Sequence, residues 1–470
     1  MTAGPLPTVV LLNPPGSLLY IRNYFCSQTS KARFINQPID LIFMSGWLKN
    51  NFHLVLIDAV LEGISPDSCL KKICALNPAA IITLCGQVSW KEDEPFLKRL
   101  KEKTGARLIA IGDNFIENPA EKLRDICFID AIITDFSNDD SLSYLSGKTE
   151  LIKTMTWRNV TGNIVSPRIS NIHAASFSLP LPKHDLFVDA GYSFPFVRQK
   201  RYATVLTDYG CPCTCSFCVM STLGYKIRPL ENVVEELEKL KAMGVNEILF
   251  IDQTFGAVPG RMRHLLRTMI DRRFGFSWVC FSRVDRTDVE TLSLMKNAGC
   301  HTIIYGVESA NENILRKYRK GYSLAQIRET FSECRKLGIQ TAGTFLLGFP
   351  EDDAASIKAT VDLAIEIDCD YASFNVASPR PGTEFRRMMI EEHLADSGDA
   401  ASDQAGRFVH VRTRHLDAKK LARLQRQAML RFYFRPRYLL KRLKALHSWR
   451  ELFLKASEAW AVFRRGILGR

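Results

Sequence analysis

The chain has 470 residues, 46% hydrophobic and 24% charged, a length for two to four domains and a composition for a globular protein with a sizeable core. No apolar run approaches a membrane span, and Met1 to Pro7 lacks a basic region followed by an apolar stretch, so neither a spanning helix nor a secretory leader is expected. The net charge of +13 belongs to one end: residues 411–470 hold 17 Lys and Arg against three acidic residues, which leaves the rest near neutral.

Residues 8–16, Thr-Val-Val-Leu-Leu-Asn-Pro-Pro-Gly, predict a buried strand and a loop. A helix over Ile39–Lys49 and a strand over His53–Asp58 follow. Next come a helix over 66–76, a strand over Ala79–Leu84, a helix over Lys91–Lys103 and a strand over Arg107–Ile111. Pro119–Arg124 reads as a helix and Ala131–Ile133 as a short strand. Short apolar strands alternating with helices imply a parallel sheet, whose ligands bind at the carboxyl ends of the strands. Asn13-Pro14-Pro15, Asp58 to Gly63, Cys85-Gly86 and Gly112-Asp113 fall at such ends.

Residues 151–200 are rich in polar and turn residues and end in Leu179-Pro-Leu-Pro, which favours an extended path. They read as a linker between a domain over 1–150 and a second over 201–385. In the second, six strands are expected: Tyr202–Thr207, Glu247–Ile251, Ser277–Phe281, Thr302–Tyr305, Thr341–Leu347 and Ala372–Val376. Amphipathic helices such as Leu230–Met243 separate them. Six such units make a partial (β/α)6 barrel with its chemistry at the carboxyl rim. Residues 386–470 read as a basic helical region, with helices over Ala418–Phe434 and Arg437–Leu446.

The loop after the first barrel strand holds Cys211, Cys215 and Cys218 in C-x3-C-x2-C spacing, with Cys213 as an extra thiol inside it. Thiolates are soft ligands that suit iron–sulfur clusters or zinc. A structural zinc needs a fourth ligand from a second cysteine pair or a histidine pair, and none follows. A zinc-stabilised nucleic-acid-binding module stays as an alternative. The thirteen cysteines are scattered, and Cys85 and Cys280 lie inside apolar runs, as reduced core thiols do in a cytoplasm.

The C-x3-C-x2-C loop, with Phe217 before its last cysteine, resembles the radical S-adenosylmethionine (radical SAM) superfamily. The resemblance implies a [4Fe-4S] cluster on Cys211, Cys215 and Cys218, with an iron left open for SAM. The reduced cluster then cleaves SAM to a 5′-deoxyadenosyl radical. By the same resemblance Asp252 and Gln253 face the SAM amino group, and Ser282 and Arg283 the methionyl carboxylate. Glu308 takes the ribose hydroxyls, and backbone near Gly343 approaches adenine. Each has a plainer alternative: Asp252 and Asp285 as helix N-caps, Glu308 in a surface ion pair. Ser378 to Thr383 resembles the family's Pro-Gly-Thr turn.

The N-terminal alternation resembles the Rossmann-like cobalamin-binding domain that precedes many radical SAM domains, through Asn13, Pro14 and the run Asp58 to Gly63. Gly112 belongs to the same expected site. The broader cobalamin family places a cobalt-ligating histidine where Val60 stands here, so cobalamin is expected without a protein imidazole. A fold that no longer binds the cofactor is the alternative. His53 and His301 are read as structural, and Tyr209 as packing.

The resemblance implies cobalamin-dependent methylation of an unactivated centre. The alternative within the family is a non-methylating cyclase, dehydratase or oxidoreductase. The tail mixes Phe432, Tyr433, Phe434 and Trp460 with basic residues, which tilts the expectation toward a hydrophobic substrate and peripheral contact with the inner face of a membrane. A helical cap and nucleic-acid binding are its alternatives, and no nucleic-acid partner is expected. An external electron donor of flavodoxin or ferredoxin type is implied.

Overall fold

The computed structural model describes residues 4–31, 34–167, 173–396 and 403–444. They form two compact units. The first holds most of the chain up to residue 248, and the second holds 29–34, 212–221 and the described residues from 249 onward.

The first unit is built on a seven-stranded sheet. Its strands are β1 (Thr8–Asn13), β2 (His53–Asp58), β3 (Ala80–Leu84), β4 (Arg107–Ile111), β5 (Ala131–Ile133), β6 (Thr156–Arg158) and β7 (Ile164–Val165), in the order β2-β1-β3-β4-β5-β6-β7. Val9 to Leu12 are fully buried, as a strand covered on both faces requires. β1 pairs in parallel with β2 (Leu12 opposite Ile57) and with β3 (Leu12 opposite Thr83). β3, β4 and β5 continue in parallel, which aligns the carboxyl ends of these strands. β6 and β7 add an antiparallel hairpin from residues that read as linker, because strands this short and polar carry no periodicity.

The crossover helices are α1 (Ile39–Leu48), α2 (Ala59–Glu62), α3 (Pro66–Ala75), α4 (Trp90–Thr104), α5 (Pro119–Asp125) and α6 (Asp140–Leu145). α3 starts where a helix should, with Ser65 accepting from Ser68 N and Pro66 in the first turn. The Leu-Pro-Leu-Pro stretch is pinned within this unit to α7 (Leu230–Ala242). Asn232 donates to Leu179 O at 3.0 Å and accepts from Leu179 N at 2.9 Å. His184 Nε2 lies 2.6 Å from Glu236 Oε1, and Glu236 also pairs with Arg228, all three fully buried.

All six expected barrel strands are present: β8 (Ala203–Val205), β9 (Glu247–Phe250), β10 (Ser277–Ser282), β11 (Cys300–Glu308), β12 (Gln340–Leu347) and β13 (Tyr371–Val376). β9 to β13 lie side by side in chain order, and β10 to β13 pair in parallel. Helices α8 (Pro259–Asp271), α9 (Val289–Asn297), α10 (Glu312–Lys317), α11 (Leu324–Lys336) and α12 (Ala354–Glu366) separate them. Capping boxes at Ser323/Gln326 and Asp353/Ser356 start α11 and α12. After α13 (Glu384–Glu391), helices α14 (Ala418–Tyr433) and α15 (Pro436–Lys444) end the described chain.

The tail helices pack on β13. Gln425 donates to Phe374 O at 2.9 Å, Tyr433 to Ala372 O at 2.8 Å and Tyr438 to Asp370 O at 3.1 Å, while Phe432 is fully buried. Three of the tail's aromatics are therefore seated against the barrel. Phe434, Leu439 and Leu440 stay exposed, and Trp460 lies outside the described residues.

Candidate active site

Parallel pairing puts the carboxyl ends of β10 to β13 on one rim, and the loops beyond the strands carry the polar residues. Asp252 is buried just beyond β9, and Gln253 beside it is half-buried. α8 and α9 are N-capped at Val258 and Asp288, so Asp252 and Asp285 cap neither helix. Ser282 ends β10, and its hydroxyl donates to Phe255 O at 2.8 Å. Glu308 ends β11 with φ at +68°, a left-handed backbone that a non-glycine residue adopts only where its surroundings hold it.

Glu308 is not in a surface ion pair. Its Oε1 accepts from Lys320 Nζ at 2.7 Å, and both side chains are 9% exposed. Burial alone would push the Lys320 ammonium down, but the Glu308 carboxylate outweighs it and holds it above the usual lysine range. The ammonium also lies 5.8 Å from the Phe217 ring centre and 5.6 Å from that of Tyr322. Lys320 and Tyr322 sit between α10 and α11 and were missed, because a Lys-Gly-Tyr loop gives no sign of what faces it.

The Arg283 guanidinium, expected at the methionyl carboxylate, makes four hydrogen bonds to three partners. Nε and Nη2 donate to the Asp285 carboxylate at 2.9 and 3.0 Å, and Nη2 to Lys320 O at 2.5 Å. Nη1 donates to Cys215 Sγ at 3.6 Å. Burial would lower its pKa, yet Asp285 and the thiols of Cys213 and Cys215 hold it above the ordinary arginine value. Gly343 lies inside β12 opposite Tyr305, not at its end, and an added Cβ would meet the Phe345 ring at 2.8 Å.

None of the thirteen cysteines, all among the described residues, is in a disulfide. Burial pushes the Cys218 thiol up to about 11. Among the described residues no three His, Cys, Asp or Glu groups converge as one metal ion requires. Thiolates on a cubane each bind a separate iron, and three cysteines on one loop fit that donor set.

In the first unit the expected cofactor loops are wired together. Asn13 donates to Asp58 Oδ1 at 2.9 Å and Tyr192 to Asp58 Oδ2 at 2.9 Å. Arg22 Nη1 donates to Asn13 Oδ1 at 3.0 Å and to Pro14 O at 2.9 Å. Asp58 N-caps α2 by accepting from Leu61 N, and Gly63 closes the same helix at φ +64°. Gly112 is required because an added Cβ would lie 1.7 Å from Cys85 O. Asp113 accepts from Ser27 N and Gln87 N at 2.6 and 2.8 Å, joining two further loops.

Val60, expected where the resembling family places its cobalt-ligating histidine, is buried. His53 starts β2, five residues before Asp58 at its other end, roughly 16 Å along a strand, and is no substitute. These loops fit cobalamin held without a protein–cobalt bond through either residue. His301 is buried with Nδ1 at 2.8 Å from Thr302 Oγ1, and Tyr209 packs edge-on to Phe136.

The radical SAM superfamily profile matches residues 205–364. An uncharacterised methyltransferase of Pyrococcus horikoshii is 26% identical over 425 residues, 87% of this chain and 91% of that one. The radical S-adenosylmethionine methyltransferase TsrM of Kitasatospora setae, solved with cobalamin and a [4Fe-4S] cluster, superposes with a TM-score of 0.63 at 19% identity, covering 82% of this chain and 75% of TsrM. The cobalamin-dependent S-adenosylmethionine radical enzyme OxsB, solved with aqua-cobalamin and S-adenosylmethionine, gives 0.69 at 15% identity over 97% of this chain and 72% of OxsB. Residues 205–364 thus resemble the radical SAM superfamily, and the chain as a whole shares the fold of solved cobalamin-dependent radical SAM proteins.

Proposed function

We propose that the protein is a radical SAM methyltransferase that uses cobalamin as methyl carrier and modifies an unactivated carbon of a hydrophobic molecule of lipid, isoprenoid or tetrapyrrole type. The observation that carries the radical SAM part is the linkage, within one unit, of Arg283 to the Cys215 sulfur and to the Lys320 carbonyl, and of Lys320 to Glu308. Methyl transfer is supported by the methyltransferase names of the Pyrococcus relative and of TsrM.

Cys211, Cys215 and Cys218 hold the [4Fe-4S] cluster. Asp252 and Gln253 face the SAM amino group, Ser282 the methionyl carboxylate, Phe217 and the β12 backbone the adenosine. Glu308 accepts the ribose hydroxyls, with Lys320 holding its carboxylate in place. Asn13, Pro14, Asp58, Gly63 and Gly112 shape the cobalamin face. When bound, the cluster supplies the electron that cleaves SAM and cobalamin supplies the methyl group. The electron comes from an external flavodoxin or ferredoxin.

No described helix is long and apolar enough to cross a membrane. Contact with a lipid surface would rest on Phe434, Leu439 and Leu440 beside Arg437 and Lys441.

The test is anaerobic reconstitution with iron, sulfide and hydroxocobalamin, then incubation with SAM and reductant. About four Fe and four sulfide per chain, retained corrinoid, and release of 5′-deoxyadenosine and S-adenosylhomocysteine are expected. Zinc without sulfide would overturn the reading. A cluster and 5′-deoxyadenosine without retained corrinoid would point to a non-methylating radical enzyme.

A further inference from the structure

We infer that Arg283 is a positioning residue for the cluster rather than a clamp on SAM: its Nη1–H donates to the sulfur of Cys215 and so sets the potential at which the cluster accepts its electron. The inference rests on the radical SAM reading above.

The geometry leaves Arg283 little freedom to do otherwise. Asp285 holds the guanidinium in a forked pair from the other side, and the carbonyl of Lys320 takes a further N–H. The side chain is 8% exposed. Its ring contact with Tyr322, 5.2 Å from the centroid, closes a third side. A group fixed by four partners keeps its aim when Cys215 exchanges its proton for iron, since the sulfur still accepts the same N–H.

The electrostatic consequence has a definite sign. Reduction adds one electron, delivered by the external donor, to a cluster whose three thiolates already carry negative charge. Hydrogen bonds to the sulfurs and nearby positive charge stabilise the more negative state and raise the reduction potential. Low exposure strengthens both effects, because little water screens them. Lys320 reinforces them less, since its ammonium is committed to Glu308.

The test compares the parent protein, Arg283→Met and Arg283→Lys, each reconstituted anaerobically and assayed for iron and sulfide. The midpoint of the bound cluster is followed by EPR in a redox titration without SAM. Arg283→Met is expected to lower the reduced-to-oxidised ratio at a fixed poise about tenfold, a negative shift of about 59 mV for a one-electron couple. Arg283→Lys keeps the charge but not the fork and should shift less, in the same direction. SAM affinity, measured by equilibrium binding, should change by less than about threefold.

An unchanged midpoint in Arg283→Met with the cluster intact and SAM binding lost would overturn the inference and return Arg283 to the methionyl carboxylate. If Arg283→Met does not retain a cluster, Arg283→Lys decides alone: a negative shift supports the role and an unchanged midpoint overturns it. A parent protein that holds no cluster at all would instead sink the radical SAM reading.

Discussion

Lys320 and Glu308 form a buried ion pair, with Nζ 2.7 Å from Oε1, at the end of the strand where the backbone of Glu308 is left-handed. Removing one partner leaves an uncompensated charge in a poorly solvated site. Lys320→Met should therefore cost about 3–5 kcal/mol in stability, the range for breaking a buried pair. Lys320→Met combined with Glu308→Leu should recover most of that loss, because both charges are then gone. Denaturant unfolding of the single and double variants measures the coupling. Single-variant losses below about 1 kcal/mol would mean that the pair is solvated like a surface bridge.

The Arg228–Glu236–His184 cluster makes a prediction about pH. Burial would raise the Glu236 carboxyl, but Arg228, then His184, hold it down to about 2 against an ordinary 4.5. The folded value lies below the unfolded one, so this contribution to stability is complete above pH 4.5 and is lost as pH falls toward 2. Arg228→Met should cost about 3–5 kcal/mol at neutral pH. The gap between parent and variant should narrow at about pH 3, where the parent loses the same contribution. Urea melts at the two pH values read the gap, and a gap that stays constant would assign the loss to packing alone.

Two glycines at the strand ends of the first unit should behave differently. An alanine at Gly112 would drive its Cβ into the carbonyl of Cys85, a backbone atom with no room to give, so Gly112→Ala should cost about 4 kcal/mol or more. At Gly63 nothing lies within 4 Å, and only the left-handed φ of +64° resists a side chain. Gly63→Ala should cost about 1–2 kcal/mol, and Gly63→Asn less, since asparagine tolerates that conformation. Thermal unfolding of the three variants checks the order.

How far the sequence carries can be read from these same residues. The parallel strands were legible because a strand buried on both faces is an unbroken apolar run, as in Val9 to Leu12. The candidate residues were picked out by the cysteine spacing and their order along the chain, and Ser282 and Glu308 do end their strands. What stayed hidden joins residues far apart in sequence. Tyr192 reaches Asp58 across 134 residues, and Arg283 reaches Cys215 across 68. Neither local periodicity nor spacing encodes such pairs. Arg283 was legible as a residue just past a strand end, but not the partners that occupy its guanidinium. The motif Asp58 to Gly63 read as a cofactor signature, and its two end residues also cap a one-turn helix, a role too short to show as a period.

The basic tail divides into a part that holds the fold and a part that does not, and the two can be separated by mutation. α14 buries Leu421, Ala428 and Phe432 and satisfies the Phe374 carbonyl through Gln425. The methyls of Leu421 also occupy the space beside Gly348 that a side chain there would need. Cutting the chain before Ala418 should therefore expose apolar surface of the second unit and leave the Phe374 carbonyl without this donor, with loss of cooperative unfolding or outright aggregation. The exposed residues should act otherwise. Phe434, Leu439 and Leu440 are 43, 43 and 58% exposed, so serine at all three should leave the unfolding midpoint close to the parent's, unlike the cut. Basic residues near an anionic bilayer gain roughly 1 kcal/mol each, and salt screens that gain. Full-length protein should thus co-sediment with vesicles of anionic phospholipid at low salt and less at high salt. The triple serine variant should bind more weakly while unfolding at the parent's midpoint. Equal vesicle binding by parent and triple variant would leave the attraction to charge alone, and failure of the parent to bind anionic vesicles would confine the tail to its role as a cap on β13.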